Sequence, residues 1–275
     1  MARMSMLVDT SICIGCKGCE VACKQWNELP AENRGFTGIS YDNTLELTSD
    51  TWCHVGFMEE GEDYTKDFRW LFVSDRCKHC GEAGCLEVCP TGAIYRTETG
   101  AVNINTNVCN GCQNCVSACP FGVVSFDKNE GVVGKCTLCS DRTEEMGREP
   151  ACVTACPTDS LVWGTRDDML ALAEKKQGRI QGGGGPASIY GKDELGGLNV
   201  FFLLQDQPEV YGLPENPQLP QDDVGKGYAL TGAGGLLLGL AAAVSFRNRR
   251  LGADDRPLAD EHTMVEDRVI VEEEG

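Results

Sequence analysis

The stretch Cys13-Ile14-Gly15-Cys16-Lys17-Gly18-Cys19-Glu20-Val21-Ala22-Cys23 decides the reading of this chain. Its spacing returns in Cys109-Asn110-Gly111-Cys112-Gln113-Asn114-Cys115-Val116-Ser117-Ala118-Cys119-Pro120. Both follow C-x2-C-x2-C-x3-C, a run whose thiolates hold [4Fe–4S] clusters. Two further quartets, Cys77-Cys80-Cys85-Cys89 and Cys136-Cys139-Cys152-Cys156, widen one gap and keep the closing x3 step. Sixteen of the seventeen cysteines are placed in this way, and only Cys53 stands outside. Four quartets suffice for four cubane clusters, so the chain reads first as an electron wire.

The remaining composition narrows the class. A length of 275 residues allows one large domain or two small ones. A disulfide scaffold has no reason to repeat Cys-x2-Cys, whereas that spacing lets two thiolates bind one metal centre. The formal charge of −18 argues against nucleic acid, whose footprint needs clustered Lys and Arg. An acidic surface serves solubility, or the steering of a partner. The start, Met1-Ala2-Arg3-Met4-Ser5-Met6, carries neither an apolar secretory core nor a twin arginine. The protein is therefore expected to be cytoplasmic, or to cross a membrane already folded on a partner's signal.

Around the quartets the chain repeats itself. Short apolar runs lead in: Met6-Leu7-Val8, Trp70-Leu71-Phe72-Val73, Ala101-Val102-Asn103-Ile104 and Val132-Val133. Three quartets close on Cys-Pro and a second apolar run, at Ile94-Tyr95, Val123-Val124 and Leu161-Val162-Trp163. Proline ends a short helix there, and the β-branched residues that follow favour a strand. Each unit is thus strand, cysteine loop, helical turn, strand. The expected fold is α+β, with tandem ferredoxin-like two-cluster units.

The first quartet departs from the repeat, because Cys23-Lys24-Gln25-Trp26 lacks the proline and its helix can run on through Trp26. A long insertion, about 27–69, then precedes Cys77 and is expected to pack over the clusters or against a partner. Thr165-Arg166-Asp167-Asp168 reads as a capped helix start, and the helix runs through Met169, Leu170 and Leu172 towards Gln177. The expected organisation is a four-cluster domain over 1–180, then an extended Gly/Pro-rich arm over 181–226 with one strand at Val200-Phe201-Phe202-Leu203-Leu204.

Residues 227–246 contain no charged side chain, and twenty residues match a bilayer core of roughly 30 Å as one transmembrane helix. A buried soluble helix is the competing reading, since alanine and glycine keep the segment only moderately apolar. Arg247-Asn248-Arg249-Arg250 follows directly, while Asp222 and Asp223 precede. The positive-inside rule then puts the tail, 247–275, in the cytoplasm and the cluster domain on the periplasmic side. Gly235, Gly239 and Ala243 form a small-residue stripe suited to close helix packing. No histidine lies in the helix to bind haem, and the acidic tail reads as disordered.

In a two-cluster unit, three thiolates come from one loop and the fourth from the other motif's last cysteine. The second and third quartets are close in sequence, so Cys77, Cys80, Cys85 and Cys119 form one ligand set and Cys109, Cys112, Cys115 and Cys89 another. By exclusion, Cys13, Cys16, Cys19 and Cys156 form a third, and Cys136, Cys139, Cys152 and Cys23 the fourth. Gly15, Gly18 and Gly111 let backbone N–H groups approach the sulfides. Structural zinc is the alternative ligand reading. Cys53 reads as a buried cysteine, and His54 and His79 as polar structural residues or tuning groups. No nucleophile–base pair, phosphate loop or pterin motif is found, so the protein is not expected to be an enzyme on its own.

Three segments carry a family resemblance: Cys16-Lys17-Gly18-Cys19-Glu20-Val21-Ala22-Cys23-Lys24-Gln25-Trp26-Asn27, Lys135-Cys136-Thr137-Leu138-Cys139 with Glu149-Pro150-Ala151-Cys152, and Tyr211-Gly212-Leu213-Pro214-Glu215-Asn216-Pro217. Over about 6–246 the chain resembles the iron–sulfur (beta) subunits of respiratory molybdopterin enzymes, most closely membrane-bound formate dehydrogenase. The segment 35–66 matches loosely, and the tail beyond Arg250 is long. The resemblance implies four [4Fe–4S] clusters with crosswise pairing and a molybdenum- or tungsten-bis-pterin catalytic subunit whose twin-arginine signal exports the pair. It also implies a cytochrome b subunit that passes electrons to quinone in anaerobic respiration. The equivalent subunit of another molybdopterin reductase or of a hydrogenase is the alternative. A zinc-stabilised, membrane-tethered interaction module is a third reading.

Overall fold

The computed structural model describes residues 2–31, 35–36, 38, 41–62 and 68–254, without the side chains of 221–230 and 249–254. Met1–Gln221 form one compact unit, and the residues from Asp222 onward form a second. The acidic tail beyond residue 254 lies outside the described residues.

The first unit is organised by a sheet of four strands in which β1 (Met4–Asp9) and β10 (Val200–Leu204) run parallel side by side. Met6, Leu7 and Val8 are fully buried, as is every residue of β10. An unbroken apolar run of this kind needs neighbours on both faces. Strand β8 (Leu161–Thr165) pairs antiparallel with the far edge of β1, and β9 (Ser188–Tyr190) with that of β10. Helix α5 (Arg166–Gly182) packs on β1 and β8. The segment read as an extended arm is therefore built into the first unit, because Val200–Leu204 can bury both faces only inside the sheet. Two arginines fasten it. Arg3 Nη2 donates to Gly197 O at 2.6 Å, and Arg166 Nη2 donates to Lys192 O at 2.8 Å.

Thr165 caps α5 as its sequence suggests, its Oγ1 accepting from Asp168 N at 3.3 Å and donating to Asp168 Oδ2 at 2.6 Å. The helix continues past Gln177 to Gly182. Nothing between forces a stop, and Gly183 N takes up the carbonyls of Arg179 and Ile180.

The quartets supply short helices that pack in pairs. Helix α1 (Gly18–Trp26) packs on α4 (Ala151–Thr154), and α2 (Gly84–Glu87) on α3 (Asn114–Ser117). Hairpins β4 (Ile94–Arg96) with β5 (Val102–Ile104), and β6 (Ser125–Asp127) with β7 (Val132–Gly134), flank the second pair. Ala83, Ile94, Val102, Val124 and Val133 form a small core of their own there. The unterminated α1 reaches the wide gap of the fourth quartet. Trp26 Nε1 donates to Asp141 Oδ2 at 3.0 Å, and the Arg142 guanidinium lies 4.6 Å from the centre of the Trp26 ring.

The later part of the insertion is a strand, β2 (Cys53–Glu60), paired along its length with β3 (Arg69–Arg76). Cys53, Val55, Leu71 and Val73 enter the main core. Lys24 ties both the start of the insertion and the residues just before β2 to α1, donating to Pro30 O, Asp50 O and Thr51 Oγ1 at 3.0, 2.7 and 2.8 Å.

In the second unit, one helix, α6 (Pro220–Asp254), carries the segment expected to span a membrane. Among the described residues no helix is long and apolar enough to cross a membrane. Its glycines and alanines dilute the apolar character that Leu236, Leu237, Leu238 and Leu240 supply.

The twin loops that open α1 and α3 share one backbone shape, with Gly15 at φ +64° and Gly111 at +68°, then Lys17 and Gln113 at 60° and 61°. A Cβ on Gly111 would stand 2.3 Å from Gly131 O, so glycine is required by steric approach as well as by φ. Gly111→Ala is expected to destabilise the fold by about 1–3 kcal/mol, read as a lower thermal midpoint and loss of iron from the Cys109 loop.

Candidate functional site

Three cavities in the first unit each gather four quartet cysteines drawn from two quartets, and Cys53 also lines the one around Cys136. Cys13, Cys16 and Cys19 share theirs with Cys156 from beyond α4. Cys136, Cys139 and Cys152 share theirs with Cys23 from α1. Cys77, Cys80 and Cys85 share theirs with Cys119 from beyond α3. The thiols of Cys89, Cys109, Cys112 and Cys115 form a fourth neighbourhood. Burial, and then the nearness of Cys109, Cys112 and Cys89, pushes Cys115 up to about 11. The helix pairs cause this exchange, because each quartet's last cysteine leaves its own loop at the end of a helical turn that packs against the partner turn.

Without metal, burial holds several of these sulfurs as thiols. Burial pushes Cys23 and Cys85 up to about 12 and Cys139 to about 11, and neighbouring cysteines add to the rise in each case. Cys19 goes the other way. Its hydrogen bond with Cys53 is the largest cause, and the Arg76 charge and Ser74 hydroxyl also lower it.

Several donors converge on the sulfurs. Arg76 Nη1 donates to Cys152 Sγ at 2.7 Å, and Leu138 N to Cys136 Sγ at 3.4 Å. Ser74 Oγ lies 3.0 Å from Cys19 Sγ and Asn27 Nδ2 3.7 Å from Cys23 Sγ. Two observations fit a multi-iron cluster better than a single ion. No three cysteine sulfurs among the described residues lie within 4.8 Å of one another, whereas tetrahedral zinc would draw them to about 3.8 Å. The second is His79, fully buried on the wall of the Cys77 cavity. Val102 N donates to His79 Nδ1 at 2.9 Å, which puts the imidazole proton on Nε2, and Nε2 has no protein partner. A buried donor without an acceptor costs about 1–3 kcal/mol, and a cluster sulfur held in that cavity would supply the acceptor.

His54 lies apart from the cysteine cavities, its Nδ1 3.8 Å from Asp42 Oδ2. Glu20, Asp42 and His54 bring ligand atoms within 4.8 Å. Lys17 Nζ already supplies the cation there, 3.2 Å from Asp42 Oδ1 and 3.5 Å from Glu20 Oε1. Cys53 is buried as expected, at the junction of Cys19 and Arg76 rather than in an anonymous core.

Sequence reasoning missed Ser74 and Arg76. They lie two apart in β3, polar positions on one face of the strand, and both are buried. Lys78 and Lys135 are likewise buried beside ligand-type cysteines. A cation directly before a quartet, in Arg76-Cys77 and Lys135-Cys136, was the available signal.

Models of the 4Fe–4S dicluster domain match residues 12–93 and 68–166. The chain is 40% identical over 223 residues to the nitrate-inducible formate dehydrogenase iron–sulfur subunit of Escherichia coli, covering 79% of this chain and 74% of that one. It is 37% identical over 247 residues to the formate dehydrogenase iron–sulfur subunit of Haemophilus influenzae, covering 86% and 78%. One subunit of the anaerobic dimethyl sulfoxide reductase of Escherichia coli is 34% identical over 178 residues, covering 65% and 79%. The paired dicluster domains give four [4Fe–4S] clusters, and the role they serve is electron transfer within a respiratory complex rather than catalysis by this subunit alone. Cysteine spacing, crosswise cavities and these relatives lead to one conclusion: the protein belongs to the family of formate dehydrogenase iron–sulfur subunits.

Proposed function

We propose that the four ligand sets are Cys13, Cys16, Cys19 and Cys156; Cys136, Cys139, Cys152 and Cys23; Cys77, Cys80, Cys85 and Cys119; and Cys109, Cys112, Cys115 and Cys89. Electrons pass along them in that spatial order or its reverse. The carrying observation is that three cavities each gather one such crosswise set. The order rests on neighbours: Arg76 and Ser74 join the first set to the second, Cys136 feels Cys77, and Cys85 feels Cys115. Cys16 and Cys112, in the outermost sets, are exposed, and the second set is buried throughout. Each [4Fe–4S] cluster supplies one-electron chemistry when bound. The protein's part is to space the sites, exclude water from the inner ones and place cations beside them.

The partner at one end is read as a molybdopterin or tungstopterin catalytic subunit, in line with relatives from formate dehydrogenase and dimethyl sulfoxide reductase. At the other end we infer a membrane cytochrome b subunit and quinone. Helix α6 supports membrane attachment: Leu236, Leu237, Leu238, Leu240, Val244 and Phe246 are exposed along it, and Arg247, Arg249 and Arg250 follow. Those arginines favour a cytoplasmic tail and a periplasmic cluster region.

Purified native complex is expected to reduce a dye with formate, and an intact pterin-containing complex without that activity would place the protein in another reductase. Alkaline carbonate should leave the full-length protein in the membrane pellet, and its release would remove the spanning helix from this reading. Cys156→Ala should abolish the paramagnetic signal of the site built by Cys13, Cys16 and Cys19. Loss of the Cys136-site signal alone would refute the crosswise sets.

The raised thiols also give a pH dependence. Groups such as Cys23 and Cys85 remain protonated in the metal-free fold up to about 12. Iron binds thiolates, so each ligand formed releases a proton and affinity rises with pH below that value. Reconstitution of iron-depleted protein should be more complete at about pH 8.5 than at about pH 6.5, followed by visible absorbance. An inverse or flat dependence would contradict the thiol assignment.

A further inference from the structure

Arg76 is fully buried at the end of β3, and every hydrogen-bond partner of its guanidinium is a sulfur or a hydroxyl. Its Nη1 donates to Cys152 Sγ at 2.7 Å and approaches Met6 Sδ at 3.5 Å, while Nη2 donates to Ser74 Oγ. Ser74 Oγ, its lone pair taken by the guanidinium, can donate its own proton to Cys19 Sγ at 3.0 Å. Among the described residues no carboxylate forms an ion pair with Arg76. Its Nε has no protein partner at all.

A buried guanidinium without a carboxylate is costly unless another anion compensates it. The anions within reach are the sulfurs of two different sites, Cys152 directly and Cys19 through Ser74. Arg76 therefore faces both sets at once, and the path Cys152–Arg76–Ser74–Cys19 is continuous. We propose that Arg76 is a positioning and tuning residue shared by two cluster sites, the Cys136 site directly and the Cys13 site through Ser74, and that its fixed charge raises both reduction potentials. The proposal rests on the ligand sets given above.

Reduction adds one electron, hence one negative charge, to a site enclosed in low-dielectric protein. A neighbouring cation favours the more negative state and raises the potential. During transfer between the two sites one is oxidised and the other reduced by a single electron. No proton moves, because arginine stays protonated in both states. Placing one cation against both sites lifts the pair together. The Cys77 and Cys109 sites lie outside the hydrogen bonds of Arg76.

The test is a potentiometric titration of the intact complex, purified without oxygen and monitored by electron paramagnetic resonance, with iron analysis on each variant. Signals are assigned to sites with Cys156→Ala and Cys139→Ala. Arg76→Met should lower the potentials of the Cys13 and Cys136 sites by tenfold or more in the reduction equilibrium, about 59 mV per tenfold for one electron. The other two sites should stay in place. Arg76→Lys, which keeps the charge, should remain within tenfold of the native protein, and Ser74→Ala should lower the Cys13 site alone. Unchanged potentials in an Arg76→Met complex with full iron would overturn the proposal, as would an equal shift of all four sites. If Arg76→Met does not assemble, Ser74→Ala decides: no selective shift at the Cys13 site refutes the shared path. A native complex lacking four cubane signals would instead refute the ligand reading itself.

Discussion

No quartet in this chain fills a cavity by itself. Three cysteines on one loop need a fourth sulfur from elsewhere, and the x3 step sends that sulfur off the end of a helical turn towards the partner motif. The two helix pairs, α1 with α4 and α2 with α3, exist to satisfy this exchange. For the second and third quartets the partner is close in sequence, and short hairpins complete the unit. For the first and fourth it lies more than a hundred residues away. The central sheet makes that distance possible: β1 delivers the first loop, β8 leaves the fourth, and the two strands are hydrogen-bonded neighbours. Strand β10 then seals the open edge of β1.

Much of this was legible because metal ligation leaves a spacing that nothing else in the sequence imitates. The strand–loop–turn–strand repeat, the run of α1 to Trp26 and the Thr165 cap all followed from local chemistry. What escaped was tertiary. Val200–Leu204 read as a strand within an arm, since a sequence does not say which edge a strand will join. Strand β2 was lost in the insertion because its apolar positions are interrupted by His54 and Gly56. Ser74 and Arg76 were hidden by their own polarity. Binary patterning assigns such residues to solvent, and here two thiol-lined sites stand where solvent would be.

That inversion explains how an acidic protein can keep positive charge in its interior. Arg76, Lys78 and Lys135 are all at most 2% exposed, and each adjoins a ligand-type cysteine in sequence. Lys78 pairs with Asp75 and lies 5.1 Å from the Phe121 ring and 5.8 Å from that of Phe202. Lys135 donates to the carbonyls of Val102 and Cys136. Arg76 and Lys78 line the two inner cavities, and Lys135 holds the backbone of one residue from each, whereas the outer sets include an exposed cysteine each. Burial alone would make an inner anionic site hard to reduce, because water cannot stabilise the added electron. A wire whose middle sites were shifted far below its ends would stall there. On the proposed ligand sets and order, fixed cations at the middle would offset the lost hydration, so the fold could bury its inner sites and still leave them reducible.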